Sequence, residues 1–300
     1  MTSQPVYLPD LTHPERRIGN RVFDFSRRVA VMAIVNRTPD SFHDKGRTFA
    51  LNAAVAAARQ AVADGADWVD IGGVPFGPGP EVTEAEELDR VIPVVRAIRE
   101  STDAVISVDT YRTEVARQAI AAGAHVINDT SGLQDPAMAD LVADSEATLI
   151  ITHSLATPPR TRVPRPSYDD VVTEVASFLR ERTALAIERG VPVDRIIIDP
   201  GHDLNKNTYH SLELTRRLSE VAAIEHPLLV AVSNKDFIGE TLDLPQHERL
   251  AGTVATISVC VLLGARIVRV HDVEAAVAAV QMTEAILGFR EPATPRHNLS

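Results

Sequence analysis

The chain has little cysteine and no long apolar run, and each shortage excludes a class of protein. Its single cysteine, Cys260, excludes a disulfide framework within the chain and a zinc site made of several cysteines. We assign Cys260 to the apolar core, since nothing near it in the sequence would activate a thiol. The longest uncharged apolar run, residues 251–265, is shorter than the ~20 residues that a membrane-spanning helix needs. Residues 1–30 lack the apolar centre of a secretory signal, so we expect a cytoplasmic protein without a membrane partner.

Positive charge is also in short supply. The 300 residues contain 30 Lys and Arg against 41 Asp and Glu, a formal net charge of −11. A protein that binds duplex nucleic acid needs a basic face, so this balance argues against that class. The apolar and charged fractions, 45% and 24%, are those of an ordinary globular chain. No linker, repeat or low-complexity segment divides the chain, and we therefore expect one domain.

Eight short apolar runs recur along the sequence, with amphipathic stretches between them. The runs are VAVMAIV (29–35), DWVDI (67–71), VISV (105–108), HVIN (125–128), ATLII (147–151), RIIID (195–199), PLLVAVS (227–233) and RIVRV (266–270). Near-continuous apolar character is typical of strands buried on both faces of a parallel sheet. In one intervening stretch, Thr83 and Glu86 form a capping-box pattern that predicts the start of a helix.

The alternation of eight strands with helices predicts a (β/α)8 TIM barrel of the α/β class. Periodicity leaves a doubly wound open sheet as the alternative. We expect the barrel to occupy residues 29–290, between an N-terminal extension (1–28) and a C-terminal tail (291–300). Within the extension, residues 18–21 predict the turn of a small hairpin across the barrel floor.

Polar residues stand at the end of every predicted strand. They are Asn36, Asp70, Asp109, Asn128, His153, Asp199, Ser233 with Lys235, and Arg269 with His271. Each one alone has a local explanation as a turn or cap residue. Because barrel enzymes carry their chemistry at the C-terminal ends of the strands, all of them together indicate one polar site.

Two of these strand ends suggest an anion site. Arg269 and His271 are two residues apart, so they point the same way if the strand continues through both. Two donors side by side form a clamp for phosphate. Asn36 would add a neutral oxygen ligand for Mg²⁺.

The remaining strand ends suit a heterocycle. Asp109, Asn128 and Asp199 offer acceptors to a ring rich in N–H donors, as a carboxylate does to a guanidinium. Lys235 would lie against a flat ring or stabilise a leaving group. A site that binds only a metal is disfavoured, because no His, Asp or Glu set has ligand spacing within one helix or strand. These residue types therefore point to a heterocycle-plus-phosphate site.

From about residue 28 to residue 288 the chain resembles dihydropteroate synthase. The motifs that carry the resemblance are NRTPDSF (36–42), DIGG (70–73), SVDTYR (107–112), INDTSG (127–132), DPG (199–201), VSNKDFIG (232–239) and RVHDV (269–273). The resemblance implies a TIM barrel and a homodimer packed through C-terminal helices. It also implies a transferase of folate biosynthesis that uses Mg²⁺ to join p-aminobenzoate to a hydroxymethyl-dihydropterin pyrophosphate. In that family pyrophosphate leaves first, and the aminobenzoate nitrogen attacks the resulting pterin cation.

The resemblance also implies roles for individual residues. Three groups match the family by position: Asp109, Asn128, Asp199 and Lys235 for the pterin; Asn36, Arg269 and His271 for pyrophosphate, with Asn36 toward Mg²⁺; and Phe42 and Ser233 for the aminobenzoate side. Asp70 matches the aspartate of the second barrel strand.

Several positions depart from the family pattern. The usual Glu-Ser-Thr-Arg-Pro-Gly after DIGG is replaced by residues 74–79, so Gly77 stands where an arginine contacts pyrophosphate and Phe76 where a threonine lines the aminobenzoate pocket. Losing one charge-assisted donor where charge develops costs about 2–4 kcal/mol, roughly 30- to 1,000-fold in rate. After DPG, residues 202–206 (HDLNK) replace the family's usual Ile-Gly-Phe-Gly-Lys. Asn234 stands where the family has the arginine of Ser-Arg-Lys, and residues 152–155 replace a Met-rich segment.

These losses indicate a diverged, inactive paralogue that makes little or no dihydropteroate but still binds a pterin, pyrophosphate or an analogue. The first alternative is an active synthase in which an arginine of the connection after the fifth barrel strand (Arg160, Arg162 or Arg165) replaces the missing guanidinium. The second is another transferase of the wider pterin-binding family that acts with a corrinoid protein. The third is a non-enzymatic partner of a true synthase.

Overall fold

The chain forms a small antiparallel hairpin followed by a closed parallel barrel. The computed structural model describes residues 6–36, 44–74, 81–156 and 165–297, and of residues 36 and 44–50 it describes only the backbone. In the hairpin, β1 (Glu15–Ile18) pairs antiparallel with β2 (Arg21–Asp24). Gly19 and Asn20 make the turn, and Gly19 adopts a φ of +59° in the left-handed region that favours glycine. The hairpin predicted from residues 18–21 is confirmed.

Eight parallel strands close the barrel. They are β3 (Ala30–Asn36), β4 (Trp68–Gly72), β5 (Val105–Asp109), β6 (Val126–Asp129), β7 (Thr148–Thr152), β8 (Ile196–Asp199), β9 (Leu228–Val230) and β10 (Ala265–Val270). Each strand pairs with the next along the chain, and β10 closes the sheet by pairing with both β9 and β3. The predicted TIM barrel is therefore confirmed, and the alternative of an open doubly wound sheet is wrong.

Helices lie between consecutive strands and around the barrel. They are α1 (Asp44–Ala63), α2 (Glu84–Ser101), α3 (Thr113–Ala122), α4 (Ala137–Ala143), α5 (Val171–Glu188), α6 (Thr208–Arg216), α7 (Leu218–Ala222), α8 (Asp236–Leu242), α9 (Leu250–Leu262) and α10 (Val273–Ile286), with short 3-10 turns at Val193–Arg195 and Gln246–Glu248. The capping box predicted at the start of α2 is present: the Thr83 side chain accepts from the Glu86 N–H, and Glu86 accepts from the Thr83 N–H. Cys260 is fully buried in α9, as predicted.

The hairpin fills the N-terminal end of the barrel. Its aromatic residues Phe23 and Phe25 pack with Trp68, the first residue of β4, and the Phe23 and Trp68 rings meet edge to face at 5.6 Å. Buried residues of other strands join this cluster: Val105, Val126, Ile150, Ile197, Leu229 and Ile267. Asp109 and Asp199 are the last residues of β5 and β8, so they lie at the opposite, C-terminal end of the barrel.

Candidate functional site

Four strands place buried acidic or amide side chains at the C-terminal end of the barrel. Asp70, Asp109, Asn128 and Asp199 come from β4, β5, β6 and β8, and each is less than a tenth exposed. Register places Asp109 directly beside Asn128 on the adjacent strand. Arg269 on β10 bonds directly to Asp70 and Asp109, and Asn128 bonds to Asp70. Asp70, Asp109, Asn128 and Arg269 thus meet in one hydrogen-bonded cluster.

Asp70 lies at the centre of this cluster, with a fully buried side chain. Its Oδ1 accepts a 2.5 Å hydrogen bond from the Ser107 hydroxyl on β5. Its Oδ2 accepts from Arg269 Nε at 2.7 Å and from Asn128 Nδ2 at 3.4 Å. One carboxylate therefore links four strands. The sequence alone does not single out Ser107, although its place two residues before Asp109 puts both side chains on the same face of β5.

Arg269 bridges the two acids of neighbouring strands. While Nε bonds Asp70, Nη2 lies 3.3 Å from Asp109 Oδ2. Burial disfavours the charge, but Asp70, Asp109 and Asp199 together raise the pKa of Arg269 above its ordinary value. Arg269 is therefore a permanent cation at the mouth of the barrel, and much of its charge is already balanced by the protein.

Asp199 is held by the tight turn that follows β8. Its Oδ1 accepts a 2.7 Å hydrogen bond from the Gly201 N–H. Gly201 has a φ of +66°, and a Cβ there would lie 2.2 Å from the His153 carbonyl oxygen, so only glycine fits. Burial raises the pKa of Asp199 to about 6, against the opposing effects of Gly201, Lys235 and Arg269.

Ser233 and His271 meet at the neighbouring strand ends. The Ser233 hydroxyl oxygen accepts from the His271 N–H at 3.2 Å and lies 3.2 Å from His271 Nδ1. The assumption that β10 continues through His271 is wrong, because the strand ends at Val270; the contact with Ser233 is what fixes the ring. Partial burial, Arg269 and Lys235 lower the pKa of His271, so at neutral pH the ring is a neutral donor or acceptor.

Lys235 follows β9 and occupies the N-cap position of α8. Burial lowers its pKa, while Asp203 and Asp199 act in the opposite direction. The strand predicted over 227–233 ends earlier, at Val230, so Ser233 and Lys235 lie in the connection between β9 and α8.

The fold and this geometry agree with what comparison with known proteins finds. Residues 32–271 match the family model described as a pterin binding enzyme. The chain is 46% identical over 274 residues to the protein of Mycobacterium leprae named inactive dihydropteroate synthase 2, covering 88% of this chain and 93% of that one. It is 40% identical over 282 residues to the dihydropteroate synthase of Synechocystis, covering 93% and 97%. The structure of Xanthomonas albilineans dihydropteroate synthase with 4-aminobenzoic acid superposes with a TM-score of 0.84 at 38% identity, covering 95% of this chain and all of that one (100%).

The chain belongs to the dihydropteroate synthase family. It is a diverged member, since it shares the barrel and the ordered motifs but departs from the family pattern in the connections after β4 and β8.

The departures after β8 place two side chains at left-handed backbone positions. Asp203 and Asn205, which stand where the family usually has glycine, adopt φ values of 62° and 52°. Aspartate and asparagine enter this left-handed region more readily than other side chains. The Asn205 Oδ1 also accepts from the N–H groups of Leu155 (2.8 Å) and Ala156 (3.0 Å). The Asn205 side chain therefore links this loop to the connection after β7.

Lys206 is buried beneath this loop, together with His153. Lys206 Nζ lies 2.8 Å from His153 Nδ1 and donates to the Gly201 carbonyl oxygen at 2.9 Å. Burial lowers the pKa of Lys206 to about 7 and that of His153 to about 2. Although His153 is one of the polar strand ends, its geometry makes it a support for the Asp199 turn.

Across the described ranges, no group of three or more His, Cys, Asp or Glu is placed to hold a metal ion. Asp70 and Asp109, the buried acids of β4 and β5, are bound to Arg269. The side chain of Asn36 lies outside what the structure describes.

Other predictions also fall outside the described residues. They concern Phe42, Phe76, Gly77, Arg160 and Arg162. Within the described part of the chain, no helix has the length and apolar character needed to cross a membrane.

Proposed function

We propose that this dihydropteroate synthase homologue binds a pterin and a pyrophosphate group but makes little or no dihydropteroate. The observation that carries the proposal is the unfilled acceptor on Asn128. The side chain is 2% exposed, and its Oδ1 has no hydrogen-bond partner in the part of the protein that the structure describes. Leaving a buried acceptor unpaired is costly, so a ligand N–H is the natural partner.

The pterin would bind along the buried acceptors. Asp109, Asn128 and Asp199 face the same end of the barrel, and their oxygens suit the N–H groups of a guanidine-like ring edge. Lys235 would lie beside the ring at the start of α8. Asp199 must be ionised to accept two donors, which its pKa of about 6 allows at neutral pH.

The pyrophosphate would bind near Arg269, His271 and Asn36. Arg269 supplies the permanent charge, and His271 adds a neutral donor when Nε2 carries its proton. Mg²⁺ is usually held by one or two protein ligands together with phosphate oxygens, so we propose that an ion would enter only with the pyrophosphate, with Asn36 as the protein ligand. Such an ion would neutralise phosphate charge.

Two sets of changes support the loss of turnover. Gly77 removes a guanidinium from the pyrophosphate side, and the connection around it is altered at residues 74–79. On the aminobenzoate side, where Ser233 and Phe42 would lie, Phe76 and Asn234 replace the usual threonine and arginine. The similarity to a protein named inactive dihydropteroate synthase 2 supports the same conclusion.

Calorimetry with hydroxymethyl-dihydropterin pyrophosphate, with and without Mg²⁺, combined with an assay of dihydropteroate formation, tests the proposal. Binding without product formation is the expected result. Product formation at the rate of the Synechocystis enzyme under the same conditions would instead establish an active synthase. Absence of pterin binding would contradict the proposal and favour the alternative of a non-enzymatic partner of a true synthase.

We also propose that the chain forms a homodimer through α9 and α10 in the cytoplasm. Val259 on α9 and Met282 and Ile286 on α10 expose 43%, 62% and 66% of their surface. Exposed apolar side chains on two adjacent helices are typical of an interface. The same face would serve the alternative role, pairing with a true synthase.

A further inference from the structure

We propose that Asp70 is a positioning residue that sets the direction of the Asn128 amide and thereby decides which heterocycles the site accepts. The proposal rests on the pterin binding proposed above and assigns the selectivity of that site to a side chain that does not touch the ligand. It concerns one contact, from Asn128 Nδ2 to Asp70 Oδ2, and its consequence on the other side of the same amide.

Asp70 presents acceptors only. Its carboxylate takes the Arg269 Nε–H at 2.7 Å, a charge-assisted distance that belongs to the ionised form. An ionised carboxylate has no hydrogen to donate. The atom of Asn128 that faces it must therefore be the nitrogen, because the amide oxygen there would set two acceptors against each other in a buried site.

The other end of the amide is fixed by the same contact. With Nδ2 turned to Asp70, Asn128 Oδ1 is the atom left for a ligand, and it is the one without a partner among the described residues. The site therefore accepts an N–H donor at this point and rejects a ring oxygen. Asn128 itself would serve either polarity, so the choice is made by Asp70.

The Asp70 carboxylate is also well anchored, which keeps this polarity constant. The Ser107 hydroxyl occupies Oδ1 and the Arg269 guanidinium shares Oδ2 with Asn128. The side chain is fully buried, so water does not compete for these bonds. A neutral amide at position 70 would lack this bias, because either of its ends can face Asn128.

A pair of heterocycles with opposite polarity on one ring edge measures this effect. 6-Hydroxymethylpterin has an amino group beside an unprotonated ring nitrogen, whereas 6-hydroxymethyllumazine has an oxo group beside a ring N–H, so donor and acceptor are exchanged along that edge. We expect the wild-type protein to bind the pterin at least about 10-fold more tightly than the lumazine, and Asp70→Asn to reduce that ratio by about fivefold or more. The ratio is the readout, since general damage to the site weakens both ligands together.

Ser107→Ala is the matched control. It removes a hydrogen bond from the same carboxylate but leaves the contact with Asn128 in place. We expect it to weaken both ligands alike and leave their ratio unchanged. A wild-type ratio in Asp70→Asn would overturn the role of Asp70, whereas a wild-type protein that binds neither ligand would overturn the proposed pterin site itself.

A neutron crystal structure of the wild-type protein keeps the proposal testable if Asp70→Asn does not fold. Deuterium atoms on the Asn128 atom that faces Asp70 are expected. Finding the amide oxygen turned toward Asp70 would overturn the proposal.

Discussion

Asp199 combines burial with a direct role in the proposed pterin site. Replacing it with asparagine exchanges two acceptors for one acceptor and one mismatched donor. We expect Asp199→Asn to weaken 6-hydroxymethylpterin binding by about 1.5–3 kcal/mol, measured by calorimetry. Asp203→Asn is the control, because Asp203 bonds Ser211 and the Phe237 N–H instead of facing the ligand. Equal pterin affinities for Asp199→Asn and the wild type would place the ligand elsewhere.

The raised pKa of Asp199 also gives binding a pH dependence. The ligand requires the carboxylate, and the unliganded group takes up a proton as the pH falls through about 6. Pterin affinity should therefore be constant above that pH and fall by up to about tenfold per pH unit below it. Calorimetry between about pH 5 and about pH 8 measures this profile. Asp199→Asn should remove the acidic decrease, and an unchanged profile in that variant would assign the titration to another group, such as Lys206.

Asp109 contacts Arg269 on one side and would contact the pterin on the other. Asp109→Asn removes one of the two carboxylates that balance Arg269, so more of its charge becomes available to an anion. We expect pyrophosphate to bind at least about threefold more tightly and the pterin to bind more weakly. Adding Arg269→Ala to Asp109→Asn should abolish the gain in pyrophosphate affinity. Calorimetry at low salt tests both ligands, and parallel losses for the two would mean that the substitution merely disrupts the site.

At the scale of elements, the β8–α6 connection is stabilised by its two left-handed residues. Asn205→Ala would place alanine at a φ of 52° and remove the bonds to Leu155 and Ala156. We expect a loss of about 2 kcal/mol in the free energy of unfolding. Glycine adopts a positive φ without strain, so Asn205→Gly loses only the side-chain hydrogen bonds. We expect it to lower the free energy of unfolding by about 1 kcal/mol. Denaturant unfolding that ranks the two variants in the opposite order would contradict this account.

The strands could be located from the sequence because each is buried on both faces and so is nearly all apolar. Their ends were harder to place where apolar residues continue past the hydrogen-bonded ladder. Ala231 and Val232 extend the apolar run after β9, yet the strand ends at Val230, since apolar composition indicates burial and not pairing.

The site could be predicted as a set of residue types but not as a set of contacts. That Asp70, Asp109 and Arg269 stand at strand ends is visible in the sequence. That Arg269 binds both acids depends on closure of the barrel, which joins β4 to β10 through β3 across 199 residues of sequence. Side-chain partners over such a separation leave no local pattern.

At the scale of the whole molecule, the exposed apolar residues on α9 and α10 predict association. Met282 and Ile286 are four residues apart, on one face of α10. We expect sedimentation equilibrium to find a dimer in the wild type and a monomer in the Met282→Glu, Ile286→Glu double variant, with similar thermal unfolding. Leu8→Glu, which changes another exposed apolar residue, is the control and should stay dimeric. A monomeric wild type would contradict the proposed interface.

The buried network of Asp70, Asp109 and Arg269 limits which substitutions such a protein can accumulate once its reaction is lost. Removing the arginine would leave two buried carboxylates without the cation that pairs with both, at a cost of about 3–5 kcal/mol, a large part of the stability of a typical domain. Mutations of Arg269 would be eliminated because the protein unfolds, whether or not it still has a substrate. Residues 74–79 (VPFGPG) contain no charged side chain, and there the sequence has departed from the family pattern. A protein that has stopped making dihydropteroate would thus keep Arg269 beside its two carboxylate partners for as long as it must fold.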